Sequence, residues 1–287
     1  YNVPVTPRSA GTSVSCGAIP VYGGIVLLLE RMDKIEELNT EGMYMVVEAG
    51  ARTVEIQEKA NAAGFLYAGD PCSAESCLIG GNIATNAGGN KAVRYGVTRD
   101  QVYAVEVVTP TGEIVELGAR LKKKSTGYCL EQLIMGSEGT LGIITKATLK
   151  LLPLCPYKLD LLAIFTDLDK AVGLVPNLIK AGLNPTSVEF MDNAFVRSSS
   201  DYCELKLPHY EDGFYVIVTV ETFNEDELES KMEQLDEICS ASGATDVLEA
   251  DDRVWKLRRN CLESTRVLSL VSTSDDLVVP VDQIANC

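Results

Sequence analysis

Short apolar runs separated by glycine-containing turns make up the first half of the chain. Residues 23–30 (GGIVLLLE) and 42–51 (GMYMVVEAGA) each predict a buried strand. Alternating β-forming residues on both sides of Gly112 predict a β-hairpin over residues 101–117. Alternation returns over residues 143–151, which predicts a further strand. The apolar pattern therefore predicts a first half that is rich in strands.

One helical segment interrupts these strands. Residues 53–64 (TVEIQEKANAAG) begin with a residue type that caps helices and end with a residue type that stops them. Thr53 is therefore predicted to be the N-cap, and Gly64 the C-terminal stop.

From about Tyr157 onwards, strands alternate with longer helical patterns. Strands are predicted over residues 158–167, 185–192, 213–222 and 244–251, and helices over 168–182, 224–243 and 251–268. Two β–α–β units of this size predict an open sheet of the ferredoxin-like type with helices on one face.

The two clearest helical patterns each carry an apolar stripe. The predicted buried faces are Val172, Val175, Leu178 and Ile179 in the first helix, and Leu228, Met232, Leu235 and Ile238 in the second. Gly243 is predicted to end the second helix. Pro176 either kinks the first helix or marks its true start, because proline lacks the backbone N–H that a helix interior needs.

Composition indicates a globular protein with one large or two ordinary domains. The 287 residues are 46% hydrophobic and 23% charged. Pro153 and Pro156 bracket a change in pattern, so we predict domains at residues 1–153 and 154–287. The formal net charge of −16 argues against nucleic acid or an anionic membrane surface as the main partner. Most of the acidic residues are spread along amphipathic segments, which is also what a plain solvated surface requires.

Nine cysteines are scattered along the chain without a CxxC pair, at positions 16, 72, 77, 129, 155, 203, 239, 261 and 287. This spacing predicts small buried side chains in a reducing cytoplasm rather than a disulfide framework or an iron–sulfur site. No apolar run approaches the ~20 residues of a membrane span, and no signal peptide is visible. The chain begins inside a strand-like phrase and ends without a stop signal, which predicts a fragment truncated at both ends.

Three glycine-rich phrases in the first half are the candidate cofactor-binding segments. They are PRSAGTSVSCGAIP (residues 7–20), GGNIATNAGG (80–89) and GSEGTLGIIT (136–145). None has the spacing of a Rossmann fingerprint or of a P-loop. The small residues of the first phrase can present consecutive backbone N–H groups, a nest that binds pyrophosphate without a lysine. Each phrase alone also fits a tight turn between strands, but three in one small domain favour a cofactor.

Taken together, these phrases resemble a known family. PRSAGTS, DPCSAESCLIGGNIATNAGG, YGVTRDQVYAVEVVTPTGEIVELG and KSTGYCLEQLIMGSEGTLGIITKATLKLLP are similar to the FAD-binding domain of vanillyl-alcohol-oxidase-type flavoproteins. The similarity is greatest to the branch that contains D-lactate dehydrogenases and the flavin-bearing subunit of glycolate oxidase. The resemblance implies an α+β fold, with a PCMH-type FAD-binding domain of two α+β subdomains and an incomplete ferredoxin-like cap domain behind it.

The resemblance also implies which residues bind FAD. The pyrophosphate loop would be Pro7, Arg8, Ser9, Ala10, Gly11, Thr12 and Ser13. The ribityl chain and flavin ring would lie along Pro71, Cys72, Ser73, Leu78, Ile79, Gly80, Gly81 and Asn82. A second phosphate- and ring-facing stretch would be Thr85, Asn86, Ala87 and Gly88, together with Tyr95. The adenine and ribose side would border Glu138, Gly139, Gly142, Ile143 and Ile144.

The chain departs from the family pattern at several positions. The family usually has glycine where Ser9, Ser13 and Cys16 stand, and aspartate where Cys129 stands. None of these changes removes a backbone donor, so FAD remains the implied cofactor. Some relatives tether the flavin through a histidine, but His209, the single histidine, lies outside the matched phrases. The implied FAD is therefore non-covalent, and His209 is predicted to be a solvated loop residue.

The phrase VWKLRRN carries the candidate substrate contact. In the 2-hydroxyacid branch, an arginine after such a tryptophan grips the substrate carboxylate, and the match points to Arg258 with Arg259 as the neighbour to distinguish. A guanidinium suits this role because it binds a carboxylate with two parallel hydrogen bonds. A salt-bridged surface helix remains an equal alternative.

The implied activity is the FAD-dependent oxidation of a D-2-hydroxyacid such as lactate or glycolate, by hydride transfer to flavin N5. A partner protein or a quinone would accept the electrons. We further expect an oligomer or a multi-subunit complex. The expected location is the cytoplasm, where the partner could hold the protein at the surface of a membrane. The family's histidine-rich phrase, which holds a divalent metal and supplies the base, is absent from these 287 residues. The alternatives are a flavin-binding assembly or electron-transfer subunit and a non-redox enzyme similar to the ether-lipid synthases.

Overall fold

A computed structural model describes residues 1–269, 271 and 276–286 of the chain. These residues form two compact units, Tyr1–Leu154 and Cys155–Cys287. Each unit has its own buried apolar clusters, one in the first unit and two in the second.

The first unit is built on one antiparallel five-stranded sheet and two small strand pairs. Its strands are β1 (Val5–Arg8), β2 (Ile25–Leu28), β3 (Ile35–Asn39), β4 (Tyr44–Glu48), β5 (Phe65–Leu66), β6 (Val102–Val108), β7 (Ile114–Gly118), β8 (Ile143–Lys150) and β9 (Leu152–Pro153). Its helices are α1 (Thr53–Ala62), α2 (Ile79–Thr85), α3 (Ala92–Tyr95) and α4 (Leu130–Ile134), with a 3₁₀ turn at Thr98–Gln101. The large sheet has the order β3-β4-β8-β6-β7, β1 pairs with β2, and β5 pairs with β9.

The core of the first unit forms where α1 and α2 pack on the centre of this sheet. Met45 and Val47 of β4 share a buried cluster with Ile56 of α1, Ile79 of α2 and Leu149 of β8. Alternate strand positions point to one face of a sheet, so Met45 and Val47 share the face in this cluster, and Val46, which is also buried, lies on the other face.

The predicted hairpin over residues 101–117 is confirmed. Strands β6 and β7 pair antiparallel, with Val108 opposite Ile114. Gly112 lies in the connecting turn with a φ of +87°, a backbone conformation that glycine adopts without steric cost.

The prediction of a buried strand at residues 23–30 is wrong in its burial. Strand β2 exists, but all four of its residues are exposed, including Ile25 and Leu28. It pairs in parallel with β1 alone. A continuous apolar run predicts a buried strand, but burial depends on which elements pack on the strand, and the run does not encode those elements.

Helix α1 begins one residue earlier than predicted. Arg52 is the N-cap residue and makes no side-chain capping bond, so Thr53 is the first helical residue. The Thr53 hydroxyl instead accepts a hydrogen bond of 2.6 Å from the buried Asn82 amide. The predicted stop is confirmed, because the helix ends at Ala62 and Gly64 has a φ of +80°.

The second unit is a four-stranded antiparallel sheet with helices. Its strands are β10 (Tyr157–Phe165), β11 (Ser187–Met191), β12 (Phe214–Thr222) and β13 (Asp246–Glu249). Its helices are α5 (Leu168–Lys180), α6 (Asn193–Cys203), α7 (Glu225–Ala241), α8 (Asp252–Arg259) and α9 (Cys261–Leu268), with a 3₁₀ turn at Val281–Asn286. The strand order β11-β12-β10-β13 interlocks two split β–α–β units, which confirms the predicted ferredoxin-like arrangement.

Helices cover both faces of this sheet, so the prediction of helices on one face is wrong. On one face, Leu174 of α5 and Leu235 of α7 belong to a cluster with Phe165. On the other face, Val196 of α6 and Val254 of α8 belong to a cluster with other residues of the same strands, among them Leu162, Ile164, Tyr215 and Ile217. Strands β10 and β12 are apolar at consecutive positions, which is what a sheet buried on both faces requires.

The predicted helical stripes are partly wrong. In α5 the buried residues are Ala171, Val172, Leu174 and Leu178, whereas Ile179 is exposed. In α7, Met232 is exposed and Cys239 is buried with Leu235. Helix α5 starts at Leu168, after an Asp167 side chain that accepts from the Lys170 amide, so Pro176 does not mark its start.

The cysteines are not uniformly buried as predicted. Cys77 and Cys239 are buried, Cys155 and Cys203 are half-buried, and Cys16, Cys72 and Cys129 are exposed. None of these seven cysteines is part of a disulfide. Burial raises the pKa of the Cys239 thiol to about 12, with Asp236 adding to the shift. Cys287 and the Cys261 side chain lie outside what the structure describes.

Candidate functional site

The glycine-rich phrase at residues 80–89 begins as a short helix, α2, which lies at the centre of the candidate site. Its first turn is tied to the end of β4, because the Gly80 amide donates to the Ala49 carbonyl at 2.8 Å and the Ile79 amide to Ala51 at 2.9 Å. A Cβ on Gly80 would lie 2.7 Å from the Ala49 Cβ. Glycine at position 80 is therefore required by the packing of the protein itself.

The loop that follows β1 lies against α2. A Cβ on Gly81 would lie 3.0 Å from the Ser9 Cβ, and a Cβ on Gly139 would lie 2.7 Å from Cγ of Pro7. The Arg8 guanidinium folds back over Gly11 in the same loop. The structure thus brings the first predicted segment, residues 7–13, beside the second and the fourth.

The turn at residues 136–139 is bonded to the other end of α2. The Gly136 amide donates to Ile83 at 3.1 Å, and the Glu138 amide donates to Ala84 at 2.9 Å. Glu138 has a left-handed φ of +53°, which few non-glycine residues adopt and which surrounding structure must hold in place. Its carboxylate lies 3.3 Å from where a Cβ on Gly17 would stand.

The stretch at residues 85–89 is held from two sides. The Ala87 carbonyl accepts from both the amide and the hydroxyl of Thr98, and the Asn86 side chain accepts from the Arg99 amide at 2.9 Å. A Cβ on Gly89 would overlap the Asp70 carbonyl oxygen. All three glycine-rich phrases, which are distant in sequence, are therefore neighbours in space.

The loop after β1 contains several backbone amides that donate no hydrogen bond. Among the described residues, the amides from Ser9 to Val14 donate no hydrogen bond, and residues 11–14 are exposed. The Ser13 hydroxyl accepts from the Ser15 amide at 3.3 Å. Consecutive free amides next to small side chains are suited to a phosphate group.

Several of the predicted cofactor-binding residues lie in the core. Leu78, Ile79, Asn82 and Ile144 are buried, and Gly142 packs against Val107. Ile79, which has no exposed surface, offers neither its side chain nor its backbone to a bound molecule. The exposed or half-buried members are the loop residues 7–13, Cys72, Ser73, Gly81, 85–88, Tyr95, Glu138, Gly139 and Ile143.

Arg258 lies in the second unit and forms an ion pair there. Its Nε and Nη2 atoms contact Oε2 of Glu189 at 2.8 and 2.7 Å. The side chain of Glu189 is 14% exposed and that of Arg258 is 25% exposed. Sequence reasoning missed Glu189, although a single acidic residue inside the apolar strand phrase SVEFM was a signal.

A second link connects the same helix to the sheet. Trp255 Nε1 donates to Oδ2 of Asp160 at 3.1 Å, and the Lys158 ammonium group lies 2.8 Å from the same oxygen. Asp160 is an isolated acid in strand β10, so it carries the same kind of signal as Glu189. The partners of either acid depend on the fold and cannot be read from the sequence.

His209 is not the solvated residue that was predicted. Its Nε2 atom lies 2.8 Å from Oδ2 of Asp246, and its side chain is 28% exposed. The adjacent Pro208 carbonyl accepts from the Tyr215 hydroxyl at 2.7 Å. Burial raises the pKa of Tyr215 to about 12, with Asp212 adding to the shift. His209 therefore ties a loop to strand β13.

Neither a metal-binding cluster nor a membrane-crossing helix is present among the described residues. Within them, no group of three or more His, Cys, Asp or Glu side chains is placed to hold a metal ion. None of the helices in this part of the chain combines the length and the hydropathy needed to cross a membrane.

Two family models match the chain. The model described as "FAD binding domain" matches residues 1–118, and the model described as "FAD linked oxidases, C-terminal domain" matches residues 158–287. The geometry above agrees with the first match, because the loop with free amides and the glycine-rich helix both lie inside it.

Curated relatives are similar along nearly the whole chain. A D-lactate dehydrogenase of Anaerostipes hadrus is 37% identical over 99% of this chain and 62% of its own length. A glycolate oxidase subunit (GlcD) of Bacillus subtilis is 35% identical over 100% of this chain and 62% of its own length. The chain thus spans less than two thirds of the length of these relatives.

Solved structures share the fold. An alkyldihydroxyacetonephosphate synthase has a TM-score of 0.75 at 22% identity, over 93% of this chain and 52% of its own. A p-cresol methylhydroxylase with substrate bound has a TM-score of 0.73 at 17% identity, over 90% of this chain and 56% of its own. At these identities the likeness concerns the fold alone. The chain thus consists of an FAD-binding domain followed by a C-terminal domain of the FAD-linked-oxidase type.

Proposed function

We propose that the protein that carries this chain oxidises a D-2-hydroxyacid of the lactate or glycolate type with non-covalently bound FAD. In this proposal residues 1–153 bind the cofactor and residues 154–287 bind the substrate. The observation that carries it is the gathering of three glycine-rich phrases around α2, in a unit that matches an FAD-binding domain. The relatives named as D-lactate dehydrogenase and glycolate oxidase subunit support the substrate class.

The residues around α2 fit a dinucleotide cofactor. The free amides from Ser9 to Val14 suit its diphosphate, and the exposed backbone at Gly88 suits the close approach of a flat ring. His209, the single histidine of the sequence, is engaged by Asp246, which supports a non-covalent cofactor. FAD, when bound, supplies the two-electron acceptor chemistry that side chains lack.

Arg258 is the proposed substrate-binding residue. A guanidinium binds a carboxylate through two parallel N–H groups, and this geometry fixes the orientation of the substrate as well as its affinity. The half-buried position of Arg258 strengthens such a contact, because solvent screens it less than it would an exposed pair.

The electrons are proposed to pass to a partner protein or a quinone. The relatives named as a glycolate oxidase subunit support a multi-subunit complex for this protein too. We propose a cytoplasmic location, where the free thiols of this chain persist.

The experiment that tests this function is an anaerobic titration of the full-length protein with D-lactate and with glycolate, followed by visible absorption. We expect a yellow protein whose flavin band bleaches with at least one of the two. A yellow protein that neither acid bleaches would instead indicate an assembly or electron-transfer subunit. A colourless protein that takes up no added FAD would overturn the cofactor assignment itself.

Replacing Gly88 by valine tests the cofactor site. Gly88 is exposed, and the nearest atom to a Cβ at this position is Val97 Cγ1 at 3.8 Å, so the variant has room to fold. We expect its FAD affinity to fall more than about tenfold, or ~1.4 kcal/mol, because the new side chain would stand where the cofactor approaches the backbone. Fluorescence titration of apoprotein with FAD measures the change.

The control for this variant is Gly173→Val, where a Cβ meets nothing within 4 Å and no cofactor contact is proposed. It should bind FAD like the wild type. Equal FAD affinity in both variants would show that Gly88 is not part of the FAD-binding site.

A further inference from the structure

The Arg258–Glu189 pair uses only one edge of the guanidinium. A guanidinium has two edges that can each offer two parallel N–H groups, Nε with Nη2 and Nη1 with Nη2. Glu189 Oε2 receives both bonds of the first edge, at 2.8 and 2.7 Å. Within the described part of the chain, Arg258 Nη1 has no hydrogen-bond partner.

We propose that Glu189 is a positioning residue, which fixes the Arg258 guanidinium so that its Nη1–Nη2 edge binds the substrate carboxylate. This inference rests on the proposed function, in which Arg258 is the substrate-binding residue. Glu189 itself would not touch the substrate. It would act through Arg258 alone.

Rigid elements hold both members of the pair. Glu189 lies in the middle of β11, opposite Ile217 of β12, so its backbone is fixed by the sheet. Arg258 lies in the last turn of α8, whose N-terminus is capped by Asp251. A site built on a strand and a helix is held more accurately than one on loops.

The energetic reason for such a pair is the flexibility of arginine. A free arginine side chain carries about 2 kcal/mol of rotamer entropy, which a ligand must overcome when it orders the side chain. An arginine already held by Glu189 loses less of this freedom on binding, so a carboxylate binds more tightly and in one orientation.

An opposing effect has to be separated from this one. The Glu189 carboxylate is negative and would repel a substrate carboxylate nearby, so its removal would tighten binding if charge alone mattered. Two variants divide the effects. Glu189→Gln removes the charge but keeps an oxygen that can accept from Arg258, whereas Glu189→Ala removes the charge and the acceptor together.

A matched control is present on the same helix. Trp255 lies one turn before Arg258 and is anchored by Asp160 of strand β10, which β12 separates from β11. The Asp160 side chain is 12% exposed, and among the described residues it forms no hydrogen bond or ion pair with Arg258. Asp160→Ala therefore removes a comparable anchor of α8 and leaves the Arg258–Glu189 pair intact.

The test uses the full-length protein and two measurements for every variant. The first is the Kd of oxalate, measured by calorimetry. Oxalate is a small carboxylate that has no C–H bond to oxidise. The second is the KM and kcat for D-lactate. We expect Glu189→Ala to raise the Kd and the KM roughly tenfold or more, the change that ~1.4 kcal/mol produces. Glu189→Gln and Asp160→Ala should stay within about threefold of the wild type, too small a change to signal a lost contact.

Three results would overturn the proposal. Equal oxalate affinity in Glu189→Ala and Glu189→Gln would mean that Glu189 acts through its charge alone. A loss of oxalate affinity in Asp160→Ala as large as that in Glu189→Ala would mean that the Arg258–Glu189 pair only anchors the helix. A wild-type protein that binds no oxalate would exclude a carboxylate site at Arg258. A protein that binds oxalate in the expected order but is reduced by neither D-lactate nor glycolate would instead refute the proposed function and leave the role of Glu189 standing.

Discussion

Replacing Gly89 by alanine is expected to lower the free energy of unfolding by about 3 kcal/mol, at the upper end of the usual cost of overpacking. The added Cβ would overlap the Asp70 carbonyl oxygen and would lie 2.9 Å from the Pro71 nitrogen. The Asp70 carbonyl cannot easily turn away, because a residue before proline is restricted to extended backbone. The preceding Gly69 is also held, since its carbonyl accepts from the Gln57 side chain at 2.7 Å.

The measurement is thermal unfolding of the variant followed by circular dichroism. A loss of this size corresponds to a fall in Tm of roughly 6–12 °C for a unit of this length. The matched control is Gly88→Ala, one residue earlier, where a Cβ has ordinary contacts. A Gly89→Ala variant with the Tm of this control would show that the two segments are not packed as described.

Replacing Arg258 by lysine is expected to lower kcat/KM for the hydroxyacid substrate roughly 30- to 1,000-fold. This corresponds to a loss of about 2–4 kcal/mol of transition-state stabilisation. Lysine keeps a positive charge beside Glu189, so the half-buried carboxylate is not left alone. It cannot, however, offer the planar pair of N–H groups that a carboxylate binds. The loss therefore measures the geometry of the guanidinium rather than its charge.

The control is Arg259→Lys on the same helix. Arg259 is exposed and has no ion-pair partner among the residues that the structure covers. This variant should retain the kinetic constants of the wild type, and both variants should retain their flavin. Unchanged kinetics in Arg258→Lys would remove Arg258 from the substrate site, and a loss confined to Arg259→Lys would transfer the role to its neighbour.

Features that depend on neighbouring residues in the sequence were predictable. The β6–β7 hairpin follows from alternation around Gly112, and the end of α1 follows from Gly64. The ferredoxin-like order of the second unit follows from the succession of strands and helices.

Helix α6 was not predicted, because its sequence disfavours a helix. Residues 198–200 are three consecutive serines, which compete for backbone hydrogen bonds. The fold overrides this preference. Asp192 caps the helix by accepting from the Phe195 amide at 2.7 Å, and the buried Ser199 contacts Ser264 of α9 at 3.2 Å. The contact between Ser199 and Ser264 joins α6 to a distant element, so it could not be read from the sequence.

The glycine-rich phrase shows why a candidate site is only partly readable. All its glycines were interpreted as room for a cofactor, yet Gly80 and Gly89 are bare because Ala49 and Asp70 lie against them. Of Gly80, Gly88 and Gly89, only Gly88 leaves room for a Cβ, which would make an ordinary contact with Val97. Only the glycine at position 88 therefore points towards a ligand. Glycine stands in the sequence both where the protein's own packing requires it and where a cofactor would approach. Only the residues that surround each glycine in the structure distinguish the two cases.

The interlocked strand order of the second unit has a consequence for synthesis on the ribosome. Leu161 of β10 pairs with Val218 and with Glu249, so this apolar strand emerges long before either neighbour exists. Until β12 follows, β10 presents two open edges and both apolar faces to its surroundings, a state that invites aggregation. We therefore expect nascent chains of this protein to be prone to aggregation until β12 and β13 have been translated.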